Sequence, residues 1–254
     1  MEKKYKLTEE NIIYCGRTLY RIEALKNFDN VKKGDKGGYI ENENNLSQEG
    51  NCWIYGNAKV YDNAQVFGNA TVYWKTRVSG NAVVSGDAQV YGNAYVYDYA
   101  IVCDNAKVYG NAQVFENATV YCKTKIYGDA YVFGNAYVCG DAVVCGDAKV
   151  FGNAVVYDNA IVFGNAKVCG NALVSGNAKI KNNSDYIVFK NWWSSGRHFT
   201  WTRSNNMWRV GCFYGTGKEL IAKAYKDSEI SGREYKRVVD YVESILQDTK
   251  RIGD

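Results

Sequence analysis

Val60-Tyr61-Asp62-Asn63-Ala64-Gln65-Val66 is the stretch that decides the fold. In an extended chain, alternate side chains face opposite sides. Ala64 and Val66 therefore point one way, and Gln65 and Phe67 the other. The small and aliphatic pair belongs inside, the variable pair outside. Asp62-Asn63 is a corner, because after Gly, Asn and Asp best tolerate positive φ. The same hexad recurs without a break: an aliphatic residue falls on every sixth position from Ile54 through Val60, Val66 and Val72 to Val168, Val174 and Ile180. A flat sheet needs no bend every six residues, and a coil does. Short-period self-similarity is the mark of a solenoid.

The outward columns set the size of one turn. A step of 18 from Tyr55 gives Tyr73, Tyr91, Tyr109, Tyr127, Cys145 and Phe163, a coherent column; a step of 12 gives Phe67, Ser79, Tyr91 and Cys103. Three hexads per coil are therefore expected, with about seven coils and a prism about 34 Å long at ordinary strand spacing. Like residues stacked along a face form side-chain ladders.

Three faces follow. The first carries Trp53, Thr71, Gln89, Lys107, Lys125, Val143 and Ile161 with the tyrosine column, and the second is rich in Lys, Arg and Tyr. The third carries Val83, Ile101, Tyr137, Val155 and Leu173, with Tyr121 and Tyr157 in its flanking column, and is nearly free of charge. These seven residues are the expected oligomer interface, since large exposed apolar patches mark contact surfaces. Two hexads are irregular: Tyr73-Trp74-Lys75-Thr76 and Tyr121-Cys122-Lys123-Thr124.

Copies such as GNAKVY, DNAQVF and GNAVVY resemble the hexapeptide-repeat family. That resemblance implies a left-handed parallel β-helix of triangular section, whereas general crossover rules favour a right-handed path. It also implies a trimer, whereas a two-fold dimer is the general expectation for a homo-oligomer, and it raises an acyltransferase reading in which a histidine base activates the acceptor. The chain has a single histidine, His198, outside the repeat, and the repeat has no loop excursion. No catalytic residue is assigned on that account.

Residues 1–50 read as an N-terminal β cap, 51–183 as the hexapeptide-repeat β-helix and 184–254 as a small C-terminal α+β domain. A solenoid end exposes strand edges and an open core, so caps are expected. In the cap, short strands flank a turn at Cys15-Gly16. In the C-terminal domain, strands are expected over Asp185–Lys190, His198–Arg203 and Met207–Phe213, with a turn at Ser204-Asn205-Asn206. Thr216-Gly217-Lys218-Glu219 and Ser231-Gly232-Arg233-Glu234 are capping-box signatures for helices over about 217–226 and about 232–249. The end segments LYRIEALKNF, VKKGDKGGYIE and GCFYGTGKEL resemble phage and prophage proteins of the hexapeptide, polymer-forming type. The resemblance implies a viral or prophage origin and brings no settled activity.

Chemistry is sparse. Gly217-Lys218 is no phosphate loop, since Cys212 and Glu219 occupy the positions a Walker A motif gives to Gly and Ser or Thr. The eight cysteines are scattered and form no CxxC pair, so neither disulfides nor a metal site is expected. A net charge of +4 does not indicate a nucleic-acid groove. The start, MEKKYKLTEEN, has no signal-like apolar run, and no segment is apolar enough to span a membrane, so a cytoplasmic location is expected (the host cytosol for a phage-encoded protein). One cluster suits stacking and cation–π contact with a base or a peptide: Trp192, Trp193, Arg197, His198, Trp201, Arg203, Trp208 and Arg209. It equally suits the core of a small domain. The sequence thus points to an all-β solenoid without cofactors, a non-catalytic interaction protein whose end modules meet a host protein or a nucleotide. An inhibitor of host antiviral defence is the alternative.

Overall fold

Each hexad of the repeat forms one two-residue strand, such as Lys59–Val60 or Gln65–Val66, followed by a corner. In the computed structural model, which describes residues 2–252, each strand pairs in parallel with the strand 18 residues further on, as Val90 does with Val108 and Val96 with Val114. The strands stack into three sheets, one on each face of a prism. Inside, the Ala and Val columns are fully buried from Ala58 and Val60 to Ala178 and Ile180. Alternation therefore assigns sides as read from one hexad.

The corners work through one left-handed residue in each hexad. Gly fills most of these positions and Asp several others, with φ near 58° at Asp62, Asp98 and Asp158. Three corners depart from this pattern, with Trp74 at φ 59°, Glu116 at φ 56° and Cys122 at φ 61°. At the Trp74 and Cys122 corners the inward Ala is also replaced by a fully buried threonine, Thr76 or Thr124. The Thr124 hydroxyl donates to the Tyr121 carbonyl of its own corner at 2.7 Å.

Outside, like residues stack at the strand repeat. Tyr91, Tyr109 and Tyr127 lie parallel with ring centroids 4.7 and 4.9 Å apart, and Tyr97, Phe115, Phe133 and Phe151 continue at 4.8–4.9 Å on the next face. Asparagine amides form a second ladder at a corner, Asn117 to Asn135 to Asn153 to Asn171.

The solenoid begins earlier than the periodicity indicates. Tyr39 and Ile40 pair in parallel with Lys59 and Val60, and Leu46 bridges to Val66. Residues 36–54 thus form an irregular first coil, raising the total from about seven to about eight. What remains of the cap is an antiparallel hairpin, β1 (Tyr5–Tyr14) and β2 (Arg17–Ala24), turned at Cys15 and Gly16. It continues the sheet through Lys36–Ile40.

The two ends of the prism differ in hydrogen-bonding character. The bonds that flank each strand run from an amide to a carbonyl of the following coil, as from Tyr55 N to Val72 O and from Tyr91 N to Val108 O, while the parallel ladder inside each strand pair returns a bond the other way. The first coil is therefore left mainly with free carbonyls and the last mainly with free amides, and buried backbone groups must be paired. At the first coil the cap supplies donors. Lys4 Nζ, in a residue only 1% exposed, reaches the carbonyls of Glu49, Gly50 and Cys52 at 3.0–3.3 Å. The Tyr5 hydroxyl donates to Leu46 O at 2.6 Å, and the Arg21 guanidinium to Gly37 O and Gly56 O. At the last coil the chain supplies mainly acceptors, although the Tyr186 hydroxyl donates to Lys167 O at 2.9 Å. Lys167 N donates to Asn183 Oδ1, Leu173 N to Thr200 Oγ1 and Lys179 N to Ser204 Oγ, all within 2.7–2.8 Å. Lys181 N and Asn182 N share Asp185 Oδ2.

Two outcomes are expected. Lys4→Met removes the ammonium shared by three carbonyls, so urea denaturation should show a loss of about 2–4 kcal/mol. Separately, burial pushes the Tyr55, Tyr97 and Tyr186 hydroxyls up to about 12. The unfolded value is about 10, so the folded state holds these protons more tightly. Their contribution is complete below about pH 10 and is lost as pH rises toward 12. Lys4 and Lys59, held below their ordinary values by burial, act in the opposite sense but are two groups against several. The last part of the tyrosinate absorbance should therefore appear together with loss of β ellipticity as pH rises toward 12; complete phenolate formation near pH 10 in an intact fold would contradict this.

Candidate functional site

The C-terminal domain holds the tryptophan–arginine cluster, and alternation along its strands sorts that cluster. Four antiparallel strands, Tyr186–Lys190, His198–Thr202, Met207–Val210 and Phe213–Gly215, lie in chain order in one sheet. Its two faces have different partners. Tyr186 and Val188 pack on the solenoid core, while Ile187 and Phe189 pack in a second core under the helices. Trp201 pairs with Trp208 across two strands on the helix side, and Thr200 pairs with Arg209 on the solenoid side.

The expected strand over Met207–Phe213 is thereby corrected to a hairpin. Gly211, at φ 56°, turns the chain, and Phe213–Gly215 returns as a fourth strand. The helices are α1 (Gly217–Asp227) and α2 (Glu229–Ile252). The Thr216 capping box is present, with Thr216 N donating to Glu219 Oε2 at 2.8 Å and Glu219 N to Thr216 Oγ1 at 3.3 Å. The second box is not used as a start. Ser228 Oγ accepts from Ser231 N at 3.1 Å, so α2 begins three residues before Gly232 and contains Ser231.

The eight residues of the cluster do not form one surface. Trp201 and Trp208 are 1% and 2% exposed and are core residues of the domain, so stacking on a ligand is closed to them. The Trp201 indole donates to Asn206 Oδ1 at 2.9 Å, in its own turn. Trp193 is half-buried, edge-on to Tyr235 and Phe199. Trp192 is exposed, edge-on to Trp193. Arg209 lies over the ring of Tyr157, a solenoid residue, at 5.1 Å and so ties the domain to the prism. The Tyr157 and Ser175 hydroxyls are both buried at this joint, beside each other. Only Arg197 and His198 share an open depression, a shallow one of about 290 Å³ lined also by Asn153, Asn171, Leu173 and Gly211. Arg203 sits in the 203–206 turn, its Nε buried without a partner among the described residues.

Of the seven candidate interface residues, Ile101 and Tyr137 are the most open, 38% and 46% exposed, while Val83, Tyr121 and Val155 are half-buried in the same face. Tyr157 and Leu173, by contrast, lie where the C-terminal domain meets the prism. The residues that sequence reasoning missed are the capping groups: Lys4, Tyr5 and Arg21 at one end, Asn183, Thr200 and Ser204 at the other. Nothing in their spacing marks them, because each is placed by tertiary contact.

All eight cysteines are free thiols, and no group of metal-ligating side chains occurs among the described residues. No helix among the described residues is long and apolar enough to cross a membrane. Parallel coils, a closed interior and capped ends define a β-solenoid repeat protein. A family model described as the YdcK beta solenoid repeat matches residues 88–104, close to one coil of the prism. A search of curated proteins finds no match.

The sorting of the tryptophans is measurable. Trp201→Ala or Trp208→Ala should destabilise the C-terminal domain by about 3–5 kcal/mol. Trp192→Ala, on an exposed ring, should cost less than about 0.5 kcal/mol. Amide exchange of residues 186–227 reads both outcomes.

Proposed function

We propose that this solenoid is a non-enzymatic scaffold that self-associates through its third face and presents its C-terminal domain to a binding partner. The observation that carries the reading is where the prism exposes large apolar side chains. Phe67, Ile101 and Tyr137 lie on the third face and Tyr99 on the corner beside it, each between 38% and 62% exposed. The face has no charged side chain in either outward column, whereas the second face carries Lys59, Arg77, Lys149 and Lys167. A charge-free stripe of exposed aromatic and aliphatic groups is costly in water and is relieved by a second copy. Isologous pairing across a two-fold axis or closure into a trimer would each bury it.

The scaffold role is supported by the way the rest of the chain is used. The backbone is committed to the coil ladders, and the end residues are committed to capping. The outer surface of the C-terminal domain, with Trp192, Tyr225, Ile230 and Tyr241 exposed, is left for a partner.

Sedimentation velocity at micromolar concentration should give a dimer or a trimer. Ile101→Lys combined with Tyr137→Lys should give a monomer with unchanged ellipticity, because both side chains point away from the core. A wild-type chain that sediments as a monomer would sink the reading.

A further inference from the structure

Trp74 is the one exposed large apolar residue of the prism that the third face does not account for. It stands 63% exposed on a corner whose column is otherwise glycine: Gly56 before it, Gly92 after it, and glycine again at 110, 128, 146 and 164. It also holds a left-handed φ of 59°, a conformation unfavourable for a bulky side chain. Backbone strain of this kind concentrates at ligand sites. It meets Tyr91 in a T-shaped pair, ring centroids 5.8 Å apart, at the point where the tyrosine stack is interrupted between Tyr73 and Tyr91. The indole is thus propped on its neighbour, with bare glycine backbone on either side.

The result is an open, mostly apolar concavity of about 370 Å³ lined by Gly56, Asn57, Trp74, Lys75, Gly92 and Asn93. The polar groups at its edge are specific. The Asn93 amide donates to Asn111 at 3.1 Å, which leaves its oxygen and one N–H available, and the Asn57 side chain has no partner among the described residues. Lys75 has no ion pair among the described residues and stands in a column otherwise made of Asn and Asp. The backbone amides of Lys75 and Asn93 are committed to Gly92 O and Gly110 O, so no amide nest is left to hold a phosphate. The glycines also leave no second wall to sandwich a nucleobase.

We propose that the Trp74 corner is a carbohydrate site for an acidic sugar, a hexuronate unit of a polysaccharide. The C–H face of the ring lies on the indole, its hydroxyls bond the Asn57 and Asn93 amides, and Lys75 pairs with the carboxylate. The corner is the vertex opposite the third face, so it stays open when that face is covered, and the inference does not depend on self-association.

Native affinity electrophoresis tests it, with polygalacturonate in one gel and a neutral β-glucan in another. The intact protein should be retarded by polygalacturonate and much less by the glucan. Trp74→Gly restores the residue of its column and relieves the backbone, so it should fold as well as the parent, keep its charge and lose at least tenfold in affinity. Lys75→Asn, also a residue of its column, should abolish the preference for the acidic polymer. No retardation of the parent, or equal retardation of Trp74→Gly, would overturn the site. Equal retardation in both gels with Lys75→Asn unchanged would overturn the role of the carboxylate. Release from the polygalacturonate gel by millimolar AMP would overturn the sugar in favour of base stacking.

Discussion

The hydrogen bond from each coil to the next is the constraint on which the rest of the structure depends. Most of these bonds run from the amide of one coil to the carbonyl 17 residues later, as from Tyr91 to Val108, with a return bond inside each parallel strand pair. At the ends this leaves mainly carbonyls on one side and mainly amides on the other, and neither can be buried alone. The chain answers with opposite chemistries: an ammonium, a phenol and a guanidinium before the repeat, and amide, hydroxyl and carboxylate oxygens after it. Lys4 is the extreme case, a charged group taken almost wholly out of water because three carbonyls and the Cys52 thiol surround it.

This allocation limits where function can reside. Residues that appear free in sequence at the two ends are largely spent on closing the stack. The small-domain sheet is a double-sided lid, with Val188 and Thr200 turned to the prism and Phe189 and Trp201 to the helices. The surface that closing the stack leaves open is the lateral faces, the corners where the pattern is broken and the helix side of the C-terminal domain. On the prism, the third face and the Trp74 corner are the places where large apolar side chains stand exposed.

The period, the inward Ala and Val columns and the three hexads per coil were all legible in the order of residues, because stacking forces identical neighbours every 18 positions. The irregular first coil was not. Tyr39 and Ile40 enter the stack through pairing with Lys59 and Val60, and the intervening spacing hides the period. The tryptophan–arginine cluster was legible as a concentration of residue types and illegible as a site. Trp201 and Trp208 became core because strand alternation turned both to the helices, and Arg209 turned the other way to meet Tyr157. Likewise, the Ser231 motif reads as a helix start, yet Ser228 captured that role by closing α1 and opening α2 at once.

Sequence by itself therefore determined the repeat, the interior, the corners and the composition of each face, all of which follow from local alternation and from the left-handed residue at each bend. Tertiary structure decided which polar groups close the ends, which tryptophans are buried and which apolar groups remain exposed. The physical reason is range. A side chain's inward or outward direction is fixed by its immediate neighbours, whereas the partner of a free carbonyl or an indole is brought to it from tens of residues away, as Lys4 is to Cys52.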